Sequence, residues 1–439
     1  IDAKVLDTPM ERVTGSVQSK GGVADTGSVI AINHNADSAL ITLRYRLKNV
    51  AFDAAEEAFE AGGHKFARGS FLIKDAPVAD VTKAATELGV QAYALASMPS
   101  VKTHPVRAPR IAMLHTWVST QDEGWWRHAF DDAGVPYTYI NTQQVAKDGD
   151  LKAKYDVIVF PPVGRNADAV IQGSPMYGNP IPWKKTDLTP NLGSEDQTDD
   201  MRPGLGYTGV AHLHEFVKAG GLLIGSMDTA NLAITTGMAP GVSVTAAQRL
   251  KIVGSVVRSK MVDAASPIAY GIPDNLGIWT SNGPIFNVSS VVGGRGGRRL
   301  GGDMGERPTG RGTMDDPDVV QGRPGQEVTQ EPRVDLWQAA PVTDEQLRNG
   351  VNVIPPAMRP RVILRYADTR DLLVSGLVEN GNEIAQHPAV VDATVDKGHV
   401  VLFSNNPVWR GETQGSYFLV FNAILQFDSL GAGRKLDVK

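Results

Sequence analysis

Apolar positions along this chain fall into short runs of two kinds, and their alternation predicts a layered α/β protein. Residues 29–33 form a compact apolar run that reads as a strand. Asp37 then stands where it can cap a helix carrying Leu40, Leu43 and Leu47 on one face. The stretch 51–59 is ambiguous, because Ala and Glu favour a helix while Phe52 and Phe59 suit a strand. Gly62 and Gly63 break the chain before a strand predicted over 66–73. A helix over 79–88 stops at Gly89, and 91–96 returns as a strand. That order fits a small β-α-β-β-α-β plait over 29–106, preceded by an extended segment 1–28. The polar stretch 99–109 carries three prolines and reads as a linker.

From 107 to 439 the signal belongs to a second, larger domain. Residues 111–115 are a buried-strand run. Thr120 with Glu123 makes a candidate capping box, and Trp125, Trp126, Ala129, Phe130 and Ala133 give a helix its apolar positions before Gly134. Strands are predicted at 137–140, 156–160 and 222–225, with a helix over 208–219 ended by Gly220 and Gly221. Further strands at 362–366, 390–395 and 400–404 precede a closing helix over 414–425. Strands alternating with helices in this way predict a doubly wound, mostly parallel sheet of flavodoxin-like kind. Two excursions interrupt it, at about 163–206 and 283–351. Within the second, 293–325 is rich in Gly, Arg and Asp and cannot bury apolar surface alone, so ordering it would require contacts with its own domain or with other copies.

Composition narrows the chemistry. With 43 basic and 48 acidic side chains the formal charge is only −5, which gives no electrostatic footprint for nucleic acid. No run approaches the ~20 apolar residues of a membrane span. The chain has no cysteine, which excludes disulfides, thiolate metal sites and a cysteine nucleophile. It opens on Ile1 without a basic-then-apolar leader, so a processed product or trimmed fragment is expected.

The candidate sites are weak one by one. His212, His214 and Glu215 lie on one predicted helix, but residues two apart face different ways and do not close on one metal. Asp315, Asp316 and Asp318 offer hard oxygens to Ca²⁺ without an EF-hand's spacing, so a solvated loop is the simpler reading. Ser226 follows a strand and precedes a helix, the position of a nucleophile elbow, with Asp228 beside it. A helix N-cap explains either residue equally well. His115, Trp117, Asp122 and Glu123 gather at a strand's carboxyl end, where doubly wound sheets bind ligands. Asn405, Asn406 and Arg410 follow another strand in the same way.

Several stretches resemble the downstream region of large secreted bacterial proteins of the carboxypeptidase A-like zinc metallopeptidase family. They include 110–127 (RIAMLHTWVSTQDEGWWR), 155–163, 204–225 and 406–425 (NPVWRGETQGSYFLVFNAIL), with 34–47 and 66–73. In that family the region follows a signal peptide and a zinc peptidase domain that carries a His-x-x-Glu motif, a domain not expected within this chain, and it resembles a class I glutamine amidotransferase fold. The resemblance implies a secreted or periplasmic location. Amidotransferases place a catalytic Cys where this chain has Ser226 or Met227, and a Phe-His-Pro-Glu run where it has Phe403 through Val408. Asn405 or Asn406 replaces the histidine, and an amide is no general base near neutral pH. The expectation is a non-catalytic accessory module that works by binding, partnered by an upstream peptidase domain or by its own copies. The alternatives are a self-assembling unit of an extracellular fibre or oligomer, and a part of an active zinc carboxypeptidase.

Overall fold

The computed structural model describes residues 4, 7–15, 17, 19–75, 77–117, 119–292, 335–348 and 350–435. The segment 293–325 and the Asp315, Asp316 and Asp318 site lie outside the described residues.

Toward the N-terminus the strands Val29–Ile32, Phe52–Ala55, Phe71–Lys74 and Gln91–Leu95 lie in the order fourth, first, third, second. Their neighbours are antiparallel, and the helices Ala39–Arg46 and Val78–Leu88 make the crossovers. Leu40, Leu43 and Leu47 are all buried, and the helix Val78–Leu88 ends on left-handed Gly89. Gly22–Ala24 adds a strand at one edge, parallel to Gln91–Leu95. The other edge corrects an expectation: within the proline-bearing linker, Thr103–Val106 forms a strand antiparallel to Phe52–Ala55. The strand expected over 66–73 is likewise split in two, His64–Phe66 and Phe71–Lys74. Between them Gly69 turns at φ +88 against the side chain of Tyr270, where an added Cβ would come within 2.5 Å of the Tyr270 Cβ.

The larger sheet begins with Thr138–Asn141, Ile111–His115, Val157–Phe160, Leu222–Ser226 and Gly398–Phe403, all parallel. By sequence these are strands 2-1-3-4-5, the flavodoxin-like order. Beyond Gly398–Phe403 the sheet is not mostly parallel. Pro388–Val395, Arg361–Tyr366, Ser255–Met261 and Asn275–Thr280 continue it antiparallel, with Leu373–Ser375 paired beside them. Ser255–Met261 and Asn275–Thr280 carry no clear strand signal in the sequence because polar and half-exposed residues interrupt them, unlike the solid apolar central strands.

The central strands are apolar on both faces because both are covered. Ile111, Met113, Val157, Val159, Leu222 and Ile224 face a core built from the helices Gln121–Asp132 and Tyr417–Leu425. Ala112, Leu114, Ile158, Phe160 and Leu223 face the opposite core, which includes Val145, Leu213, Phe216 and Leu232. Every side chain of Tyr417–Leu425 is buried, and Phe421 packs edge-on against Phe130 at 5.6 Å. The first of these cores continues into the plait through Leu40 and Phe71.

Polar contacts fasten that junction. His34 Nε2 lies 3.0 Å from Asn422 Oδ1, while Asn422 Nδ2 donates to the carbonyls of Ile268 and Tyr270. Because the Asn422 amide donates elsewhere, Nε2 of His34 carries the proton. Burial then holds the His34 pKa down at about 4, against the raising effect of that hydrogen bond.

Candidate functional site

The fourth parallel strand, Leu222–Ser226, ends in a strained turn. Met227 sits at φ 52, ψ −113, a conformation that costs a non-glycine residue about 1–3 kcal/mol. Its N–H donates to Phe403 O at 2.8 Å, its carbonyl accepts from Asn231, and the helix Asp228–Thr235 starts at once. This is the geometry of a nucleophile elbow, with Met227 rather than Ser226 at its tip. Ser226 is fully buried, and its hydroxyl donates to Asn405 O at 2.7 Å, so the serine weighed as an elbow residue or a helix N-cap is instead a structural tie between two strand ends. Gly283 crosses beside the turn; a Cβ there would meet Ser404 O at 2.3 Å.

The two asparagines are buried next to the elbow. Asn406 Oδ1 accepts from Trp126 Nε1 at 3.0 Å and from the Val408 N–H at 3.2 Å. The Asn405 side chain is fully buried with neither amide atom paired within the protein. Asp228 accepts from the N–H groups of Val163 and Arg165, fixing the loop after Val157–Phe160, and burial pushes its pKa up. Burial and the charge of Asp228 raise Asp122 to about 6. Arg410 does not join these carboxylates: it is exposed and lies over Trp125 and Trp409, 5.7 Å from each ring.

A second cluster occupies the ends of strands one and two. His115 and Asn141 are register partners, side by side at two carboxyl ends. Asp196, from the excursion 163–206, places one carboxylate oxygen 2.9 Å from His115 Nε2 and 2.7 Å from Asn141 Nδ2. The Tyr139 ring stacks on His115 at 4.0 Å, the Arg127 guanidinium lies 4.4 Å from the centre of the Tyr139 ring, and Trp117 meets the imidazole edge-on. Arg127 also pairs with Glu195 at 3.0 Å. Burial lowers the His115 pKa, although hydrogen bonding to Asp196 opposes it. The expected Thr120–Glu123 capping box is absent: Thr120 makes no cap, and Glu123, its pKa raised by burial, accepts from the Tyr139 hydroxyl at 2.7 Å. The box instead forms one element later, between Asn141 and Gln144.

The sequence pattern singles out His115, Trp117, Asp122, Glu123 and Asp228, but misses Tyr139, Asn141, Arg127 and Asp196. Tyr139 and Asn141 carry a usable signal, being two apart on one strand and hence on one face. Asp196 carries none, since 81 residues separate it from His115. His212 and His214 bond to different carbonyls, those of Val145 and Thr236. Among the described residues no group of three potential metal ligands comes together.

No protein-family model matches the chain, and no curated protein matches it either. Solved structures that align with this chain include PurLQS from Thermotoga maritima, 13% identical, covering 73% of this chain and 98% of that one at a TM-score of 0.35. A Thermoplasma acidophilum protein described as part of a GMP synthase is 7% identical, with coverages of 72% and 94% and a TM-score of 0.33. A β-galactosidase from Bacillus circulans is 8% identical over 73% of this chain and 31% of its own, at 0.32. Similarity this remote carries no information on substrate or mechanism.

Proposed function

We propose that this chain is a catalytically silent, amidotransferase-like module that acts by binding, and that in its natural setting it accompanies a secreted carboxypeptidase-like domain. The observation that supports it best is Met227 at the tip of the strained elbow. A thioether has no proton to surrender to a base and does not run the acyl-transfer cycle of a thiol. The neighbouring asparagines add no base, and Asn406 is fastened to Trp126. The peptidase association rests on the likeness of 110–127 and 406–425 to the downstream region of that family.

The test is ammonia release from glutamine by the purified chain. We expect no release above the buffer rate, and none from Met227→Cys alone, because a thiol without a base in reach stays largely protonated. Turnover by the unmodified chain would overturn the reading. The peptidase association is checked by identifying what is joined to or co-purifies with the polypeptide from its native source, where a species near 47.0 kDa with no peptidase domain attached or bound, and no peptidase domain in its precursor, would sink it.

A further inference from the structure

We infer that the His115–Asn141 strand ends form an anion-binding site which the chain fills with its own Asp196, and that the segment 174–202 is a plug a free carboxylate or phosphate displaces.

The donors are held in place without help from the anion. Asn141 is fixed by its reciprocal capping box with Gln144, and His115 is clamped between the stacked Tyr139 and the edge of Trp117. Arg127 is ordered over Tyr139 and hydrogen-bonds through Nε to the Tyr137 hydroxyl. The acceptors, by contrast, come from a distant excursion: Asp196 bridges His115 and Asn141, while Glu195 engages Arg127. A preorganised set of donors closing on a carboxylate is how proteins hold a ligand anion.

The plug is weakly attached otherwise. Its large apolar side chains point outward, with Tyr177 89% and Leu188 94% exposed, so little hydrophobic burial holds it down. Its ties to the helix after strand two are polar, from Gln143 to Thr198 and Asp200. The cavity left beside it, bordered by Trp117, Thr142, Arg165 and Arg202, is ≈ 20 Å³, room for about one water. The site lies at the carboxyl ends of strands one and two, beside the switch point of the 2-1-3-4-5 order between strands one and three, where open α/β sheets take ligands. Asp196 is an intramolecular competitor, and a tethered group acts at an effective concentration of the order of millimolar or above. Removing it should therefore sharpen binding of a free anion.

Wild type and Glu195→Ala/Asp196→Ala are titrated with phosphate and, separately, with succinate at constant ionic strength, following tryptophan fluorescence. We expect the variant to bind one of the two at least tenfold more tightly, and Asn141→Ala in the same background to abolish the gain; the stronger anion identifies the ligand class. Equal affinity in wild type and variant, or a gain that survives Asn141→Ala, would overturn the inference. A misfolded variant is bypassed by the unmodified chain, in which saturating anion should speed proteolytic cleavage within 174–202 at least threefold. No acceleration by either anion counts against the plug. The inference builds on the binding role proposed above but not on the elbow, so ammonia release would leave it standing and failed anion titrations would leave the silent elbow standing.

Discussion

The two ends of this strand-end surface are built in opposite ways. At the elbow, shape is complete and reactive chemistry is missing: Met227 holds the strained turn, yet Ser226 and Asn406 are absorbed into structural hydrogen bonds. At His115 and Asn141, polar groups are present and positioned, yet the chain's own carboxylate occupies them. A strained turn persists because the core overdetermines it, independently of what its side chain can do. Burying a polar group without a partner is costly, and His115 and Asn141 find theirs in a loop from far along the sequence.

If the elbow rests on the core, cutting that core must cost the most. Trp126→Ala removes a fully buried ring and the donor to Asn406, and we expect a loss of about 3–5 kcal/mol in urea unfolding. A loss below about 1 kcal/mol would break the contrast.

The interdomain histidine gives the next largest effect. Its pKa is 6.5 unfolded and about 4 folded, so the fold favours the neutral ring. The contribution is full above pH 6.5 and declines as pH falls toward 4, by about 3 kcal/mol. Urea midpoints between pH 7 and 4 should show this slope, and His34→Gln should flatten it.

Removing Asp196 tests the other end. Asp196→Ala leaves His115 Nε2 and Asn141 Nδ2 without their acceptor, a penalty of about 1–3 kcal/mol confined to the loop. We expect faster proteolysis within 174–202 with little change in the global urea midpoint. A shift of that midpoint as large as the Trp126 effect would mean that the loop belongs to the core after all.

The smallest effect concerns Asp122, whose pKa rises from 3.8 to about 6 on folding. Its carboxylate form therefore costs stability above pH 6 and nothing below 3.8. Allowing for its partial exposure, Asp122→Asn should stabilise the protein by about 1 kcal/mol at pH 7 and leave it unchanged at pH 3.5. Equal shifts at both pH values would show that burial of charge is not the cause.

Much of the layered architecture was legible in the chain. Runs such as 111–115 and 222–225 are apolar at nearly every position because helices cover both faces, and Gly89, Gly220 and Gly221 mark where helices stop. The absence of cysteine removed thiol chemistry before any geometry was known. Local pattern failed where a partner strand or loop decides the outcome. Thr103–Val106 looks like a proline-rich linker until the edge of Phe52–Ala55 pairs with it, and Thr120 and Glu123 look like a capping box until Tyr139 claims the glutamate. The choice between Ser226 and Met227 at the elbow turned on a single residue of register, which sequence spacing does not resolve and backbone φ and ψ do. The approach of Asp196 to His115 across 81 residues leaves no periodic trace, because a hydrogen bond between distant segments is set by the folding of everything between them.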